Sequence, residues 1–413
     1  MRIVVWHGYL LSGTGSNIYT QALVREWARA GHDVTVLCQE PHPERFDLGG
    51  AQVLRPRIGR LLPVFVLDRY EGLDARLLQD LSSEERDAYV EANAAAVREL
   101  LPADLVFANH VLLGGPVGAA SGVRYAVKAH GSELEYSMRG NAQLEGWGRE
   151  SLRDAAAVYV GSAHIREVLE EVVGHVERVH EVPPGVDVVG FRPEERDAAL
   201  AALLEECRAD PPNPGNRAER LPDEGNAERL AEWFASPEPT VLYFGKLLYN
   251  KGVHVLLDAL PRVPARGLIV GFGDYRAELE RRAPPGTLFT GPLEHRHLRH
   301  LLPLCDVTVV PSVFPEAFGM VAAEAAAAGS LPIVARHSGL AEVAAGLERH
   351  LPAAHAPLVS FETGDVEDLE RKIRGALELS ADDRQLVREA IRRAVEENWS
   401  WSRVAERLLD AVS

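Results

Sequence analysis

Short apolar runs of strand length, among them RIVVW, DVTVL, DLVFAN, RYAVK, AVYV, TVLYF, LIV, DVTVV and LPIVA, recur along this chain and are separated by stretches with helical periodicity. Strands that alternate with helices throughout a chain fold as doubly wound α/β layers, and such sheets collect ligands at the carboxyl ends of their strands. At 413 residues there is room for two domains, each with its own core. The expected fold class is therefore α/β, with two Rossmann-like doubly wound domains facing a central cleft.

Composition narrows the partners. A hydrophobic content of 46% with 25% charged residues describes an ordinary globular chain. The formal charge of −17 argues against nucleic acid and against broad contact with anionic lipid, although Arg55, Arg57 and Arg60 form a local basic run. No apolar run approaches the roughly 20 residues that cross a bilayer, and no signal peptide precedes the first strand, so a cytoplasmic location is expected. Cys38, Cys207 and Cys305 show no metal spacing and no disulfide framework. Lysine occurs only at Lys128, Lys246, Lys251 and Lys372, so two of the four fall within six residues.

The opening strand leads through LLSGTGSN into an amphipathic helix over about 17–30 that stops at Gly31, and then into DVTVLCQ. Gly13 and Gly15 suit a loop that approaches a phosphate or sugar closely, or a plain tight turn, because Ile18 breaks the G-x-G-x-x-G fingerprint. Strands are expected at 51–58 and 62–66, and SSEERDAYVEANAAAVREL reads as a helix capped by Ser82 or Ser83. Gly114, Gly115 and Pro116 follow one strand end. Another delivers His130, with Glu133 and Glu135 beyond it as acceptor contacts or solvated acids. Residues 183–187, PPGVD, form a stiff linker with a bend at Gly185. From about 192 to 239 two helical pieces flank DPPNPGN, which suggests a helix-loop-helix insertion or a partly mobile segment.

In the second half, Lys246 and Lys251 follow Gly245 at a strand end and precede a Val- and Leu-rich helix, well placed to neutralise a diphosphate. Gly271-Phe272-Gly273 closes another strand. His295, His297 and His300 lie close together, but this spacing does not bring all three onto one helix face, so no metal is assigned. PSVFPEAFGMVAAEAAAAG, residues 311–329, opens with turn residues and becomes an Ala-rich helix expected from about Phe318 until Gly329 stops it. A helix start attracts an anion, and Glu316 and Glu324 can accept hydrogen bonds from sugar hydroxyls. An Ala-rich packing helix with a capping Glu is the alternative. Trp399 and Trp401 are accounted for by core packing.

The pattern E-x-F-G-x-x-x-x-E-A, preceded by DVTVVPS and followed by GSLPIVA and SGLAE, resembles the E-x7-E signature of retaining glycosyltransferases of family 4, which have the GT-B fold. REWARAGHDVTVL, PPGVD, the Gly245-Lys246-Leu247 to Lys251-Gly252 segment and the closing NWSWSRVAERLL extend the resemblance over most of the chain, with Lys246 where the family usually has Arg. The resemblance implies that Lys246 and Lys251 hold the donor diphosphate, Glu324 the ribose and Glu316 the donor sugar. Phe318, Gly319 and Met320 would offer backbone groups, and Gly271, Gly291 and Leu293 would border the nucleotide base. His130 with the Gly13–Gly15 loop would complete the site from the other domain. The substrate would be a nucleoside diphosphate sugar, UDP before GDP, and the acceptor a small-molecule, glycan or lipid-linked hydroxyl. No cofactor or metal would be needed, because lysines and the helix dipole stabilise the leaving diphosphate.

The expected domains are 1–187, a linker or insertion at 188–238, a nucleotide-sugar domain at 239–385, and terminal helices at 386–413 that pack back toward the first domain; a homo-oligomer is compatible. Two other functions remain open. A dinucleotide oxidoreductase would use Glu40 at the end of the second strand, and a non-catalytic sugar-nucleotide sensor would keep the phosphate and ribose contacts alone.

Overall fold

The computed structural model describes residues 1–11, 15–67, 70 and 72–412. Two compact units divide it, Met1–Gly185 with Trp401–Ser413, and Val186–Ser400.

In the first unit the strands are β1 (Arg2–Trp6), β2 (Asp33–Leu37), β3 (Gln52–Leu54), β4 (Leu61–Val64), β5 (Asp74–Leu77), β6 (Leu105–Asn109), β7 (Tyr125–Lys128), β8 (Ala157–Val160) and β9 (Val179–Glu181). Seven of them form one sheet in the order β3-β2-β1-β6-β7-β8-β9, and β4 pairs with β5 apart. Each pairing in the large sheet is parallel. A parallel sheet is covered on both faces, and β1, β6, β7 and β8 are accordingly buried almost throughout. The strand order reverses between β1 and β6, which places the crevice of this unit at their carboxyl ends.

Helix α1 (Gly15–Arg29) covers one face, and its Trp27 indole donates to the Ala405 carbonyl at 3.0 Å, tying it to the terminal helix Trp401–Asp410. Helix α2 (Ser83–Arg98) starts on the expected cap: Ser82 accepts the Glu85 N–H, and the Glu85 side chain returns to the Ser82 N–H. The strands expected at 51–58 and 62–66 are shorter, ending at Leu54 and Val64.

In the second unit β10 (Thr240–Phe244), β11 (Arg266–Val270), β12 (Thr287–Phe289), β13 (Val307–Val310), β14 (Leu331–Ala335) and β15 (Ser360–Phe361) form a parallel sheet in the order β12-β11-β10-β13-β14-β15. Its reversal lies between β10 and β13, the strands that lead to Lys246 and to Glu316. Gly252 closes the distance between those two segments: its φ is +67°, and a Cβ there would stand 1.9 Å from the Pro311 carbonyl oxygen.

The boundaries differ from those expected. Residues 188–238 are part of the second unit, because the helices Arg196–Arg208 and Asn226–Ala235 contribute Leu203, Leu230 and Phe234 to its core. Helix Ala381–Trp399 also belongs there, burying Val387, Ile391 and Val395, so only the helix Trp401–Asp410 joins the first unit. Trp399 and Trp401 thus sit in different cores, Trp399 edge-on to Phe318 and Trp401 edge-on to Tyr19. No helix among the described residues is long and apolar enough to cross a membrane.

Candidate functional site

In the first unit, polar side chains gather where β1, β6 and β7 end. His130 Nε2 lies 3.0 Å from Asn109 Oδ1, Asn109 Nδ2 lies 3.2 Å from Thr20 Oγ1, Thr20 Oγ1 lies 3.1 Å from His7 Nδ1, and His7 Nε2 lies 2.8 Å from Asn17 Oδ1. Burial lowers the His7 pKa to about 4, so that ring is neutral and has one N–H. The directions then follow one another. Asn109 donates to Thr20, whose own hydroxyl donates to the Ser16 carbonyl at 2.8 Å and so turns an acceptor oxygen toward His7 Nδ1 as well, and His130 donates from Nε2 to Asn109. His130 is itself held well below its ordinary value by burial, then by its neighbours Lys128 and His7, so this ring is neutral too.

Beside it lies His110, buried, with φ of +73° and neither ring nitrogen hydrogen-bonded among the described residues. Lys128 is buried too, its ammonium on the Val182 carbonyl and over the Tyr19 ring, and desolvation pulls its pKa down to about 7.

Two expectations change here, for Glu133 and Glu40. Glu133 is not an acceptor contact: it is fully buried and its carboxylate takes the N–H groups of Val111, Leu112 and His130. Burial pushes its pKa up to about 8. Glu135 is exposed and pairs with Arg139 at 2.9 Å, in keeping with the solvated alternative. Glu40, the acid a dinucleotide enzyme would aim at a ribose, accepts the backbone N–H groups of Leu11 and His42, which removes the support for an oxidoreductase. Gly15 opens α1, while Gly13 lies outside the described residues.

In the second unit Gly245, Gly271 and Gly291 stand side by side past the ends of β10, β11 and β12. Gly271 donates to Gly291 at 2.9 Å, and with φ of +147° a Cβ on it would meet the Gly245 oxygen at 1.8 Å, so only glycine fits. Gly291 is covered by the 188–238 segment, Asp223 donating its N–H to Thr290 O at 2.8 Å and gripping Arg276 with both carboxylate oxygens. That segment is therefore fastened onto the β12 end. Leu293 is buried.

Lys246 is exposed and makes no ion pair among the described residues. Lys251 is paired: its ammonium lies 2.5 Å from Glu316 Oε1, the oxygen that also receives the Ser312 hydroxyl at 2.8 Å. The two residues expected to hold diphosphate and sugar separately are thus one hydrogen-bonded unit. The helix they precede runs Met320–Ala328, two residues shorter at its start than expected, because Phe318 turns into the core and Gly319 (φ +107°) is the N-cap. Among the described residues no side chain caps it, which suits an anion at its start. Gly329 stops it in the left-handed conformation, as expected. Glu324 is almost buried and lies 3.3 Å from His295 Nε2, and this bond raises the His295 pKa above its ordinary value.

The three closely spaced histidines disperse, His295 to Glu324, His297 to Asp210 and His300 to Glu194. Among the described residues one trio, Cys207, Asp210 and His297, brings its donor atoms within 4.8 Å. Its chemistry does not suit a cation. His297 Nδ1 accepts the Glu294 N–H, which leaves the proton on Nε2; Arg296 already holds Asp210; and burial raises the Cys207 thiol to about 12. His7, Asn109, Ser312, His337 and Ser338 escaped sequence reasoning. Their one signal is position, since each lies within three residues of a strand end.

With this geometry in place, comparison with known proteins is decisive. Residues 14–185 match the Glycosyl transferase 4-like domain, and residues 227–393 match Glycosyl transferases group 1. The chain belongs to the GT-B glycosyltransferases of the family 4 type. A glycogen synthase of Mycobacterium tuberculosis is 34% identical over 44% of this chain and 45% of its own, so the chain spans less than half of that relative's length. A D-inositol 3-phosphate glycosyltransferase of Xylanimonas cellulosilytica is 27% identical over 96% of this chain and 90% of its own. Among solved structures, Anabaena HepE in complex with UDP and glucose superposes with a TM-score of 0.68 at 16% identity, covering 100% and 99% of the two chains. Sucrose-phosphate synthase of Thermosynechococcus elongatus gives 0.66 at 20% identity, with 100% coverage of both. These structures share the GT-B fold with this glycosyltransferase.

Proposed function

We propose that this glycosyltransferase moves a sugar from a nucleoside diphosphate sugar to a hydroxyl acceptor with retention of configuration and without a metal. One observation carries this: an exposed Lys246 and the Lys251–Glu316 pair stand at the strand-order reversal of the second sheet, beside the uncapped start of the helix Met320–Ala328. Cations and helix N–H groups would take the charge that develops on the leaving diphosphate, the work a divalent ion does elsewhere. Glu316 would accept from the transferred sugar and Glu324 from the ribose. The leaving phosphate would assist deprotonation of the acceptor on the front face, so no enzymic nucleophile is required.

UDP is the first choice of nucleotide, supported by the UDP and UDP-glucose complexes of the HepE neighbour. Nucleotide sugars are cytoplasmic metabolites, which fits the location expected from sequence. The test is a melting screen with UDP, GDP, ADP and dTDP followed by incubation of the matching glucose or mannose donors without acceptor. A nucleotide at about 100 times its dissociation constant stabilises by about 2.7 kcal/mol, and slow donor hydrolysis in excess EDTA is expected. No shift with any nucleotide overturns the donor assignment, and activity lost in EDTA but restored by Mg²⁺ overturns metal independence.

A further inference from the structure

Glu316 lies in neither helix nor strand, yet both of its backbone groups are held by one short segment. Its N–H donates to Ser338 Oγ at 2.8 Å, and its carbonyl accepts the Gly339 N–H at 3.0 Å. Ser338 has φ of +45°, in the left-handed region that side-chain-bearing residues avoid and that glycine would occupy without strain. Strain of this kind persists where surrounding contacts fix it, and here the contacts run through the hydroxyl.

His337 sets their direction. Its Nε2 lies 2.7 Å from the Ser312 carbonyl, which can only accept, so Nε2 carries a proton. With the one ring proton on Nε2, Nδ1 accepts from the Ser338 hydroxyl 2.9 Å away, and the Ser338 oxygen keeps its lone pairs for the Glu316 N–H. Ser312 in turn donates to the Glu316 carboxylate. His337 therefore touches both the residue that holds the Glu316 backbone and the residue that holds its side chain.

We propose that Ser338, buttressed by His337, is a positioning residue that fixes Glu316 for the donor-sugar step. This rests on the assignment of Glu316 to the donor sugar made above. Ser338→Gly removes the hydroxyl and relieves the backbone, so folding is not at risk and a melting temperature equal to or above wild type is expected. Turnover of whichever donor wild type hydrolyses (UDP-glucose, GDP-mannose, ADP-glucose or dTDP-glucose) should fall roughly 10- to 100-fold in kcat. Affinity for the matching free nucleoside diphosphate should stay within about twofold, because only the sugar-facing carboxylate has been loosened. Hydrogen exchange at the Glu316 amide should accelerate. Ser338→Asn, which tolerates the left-handed backbone and offers an acceptor oxygen, should recover part of kcat.

A glycine variant with kcat within about twofold of wild type overturns the proposal. So does unchanged exchange at the Glu316 amide. If wild type binds none of the four donors, the nucleotide-sugar assignment itself fails, and the Glu316 exchange rate alone then decides whether Ser338 holds this backbone.

Discussion

The two units finish their sheets in opposite ways. At the end of β1, β6 and β7 the first unit places a chain of neutral hydrogen bonds, His130 to Asn109 to Thr20 to His7 to Asn17, in which burial keeps the histidines uncharged. Past the ends of β10 and β13 the second unit pairs Lys251 with Glu316, and from the helix His295–Leu301 after β12 it sets His295 against Glu324. The first arrangement fixes which atom of an imidazole carries the lone pair. The second holds a cation ready and neutralised. Lys251 and Glu316 are 31% and 20% exposed, and a pair that accessible contributes about 0–1 kcal/mol to folding, so it matters for presenting charge rather than for stability.

Breaking the charged side should have the largest effect. Lys251→Ala removes the cation and leaves the Glu316 carboxylate with the Ser312 hydroxyl as its partner among the described residues, and kcat/KM for donor hydrolysis should drop by about 10²–10³-fold. A folded variant with unchanged kcat/KM would show that the pair is incidental. On the neutral side Asn109→Ala frees the His130 ring to take either tautomer, and kcat should fall roughly 10- to 100-fold with free-nucleotide affinity unchanged. Calorimetry that finds weakened nucleotide binding in this variant would break the contrast between the units.

Within the charged side, Glu324→Ala should lose about 1.5–3 kcal/mol of affinity for free nucleoside diphosphate, while Glu316→Gln should keep that affinity and lose transfer. Equal losses from both variants would merge the two roles. The smallest effect is one of pH. Because Glu324 raises the His295 pKa above the ordinary 6.5, the pair's stabilisation is fully present below about pH 6.5 and fades as pH rises through the raised value. The melting difference between wild type and His295→Asn should therefore shrink from about pH 5 to pH 8, and a gap that widens instead would exclude that ion pair.

What the sequence disclosed was local. The alternation of strands and helices, the Ser82 cap and the Gly329 stop each depend on residues within a few positions, and each is found in the structure. What it concealed needs the fold. The Lys251–Glu316 contact spans 65 positions and exists because Gly252 lets two loops touch. Glu133 reads as an acceptor contact or a solvated acid because nothing in HGSELE shows that the backbone of 111–112 will surround it. The 188–238 segment looked loose because its Pro, Asn and Gly are turn formers, yet Asn213 uses its amide to knot that turn onto Ala218 and Pro222. Phe318 was placed in the helix start on pattern alone, whereas packing against Trp399 withdrew it.

The scarcity of lysine has a practical side. Lys128 is buried on a carbonyl, Lys251 is committed to Glu316, and Lys372 donates to the Pro357 carbonyl, so Lys246 is the most accessible side-chain amine in the described chain. An acylating reagent would then behave almost as a site-directed label, and the added mass at Lys246 would report directly whether anything occupies the end of β10.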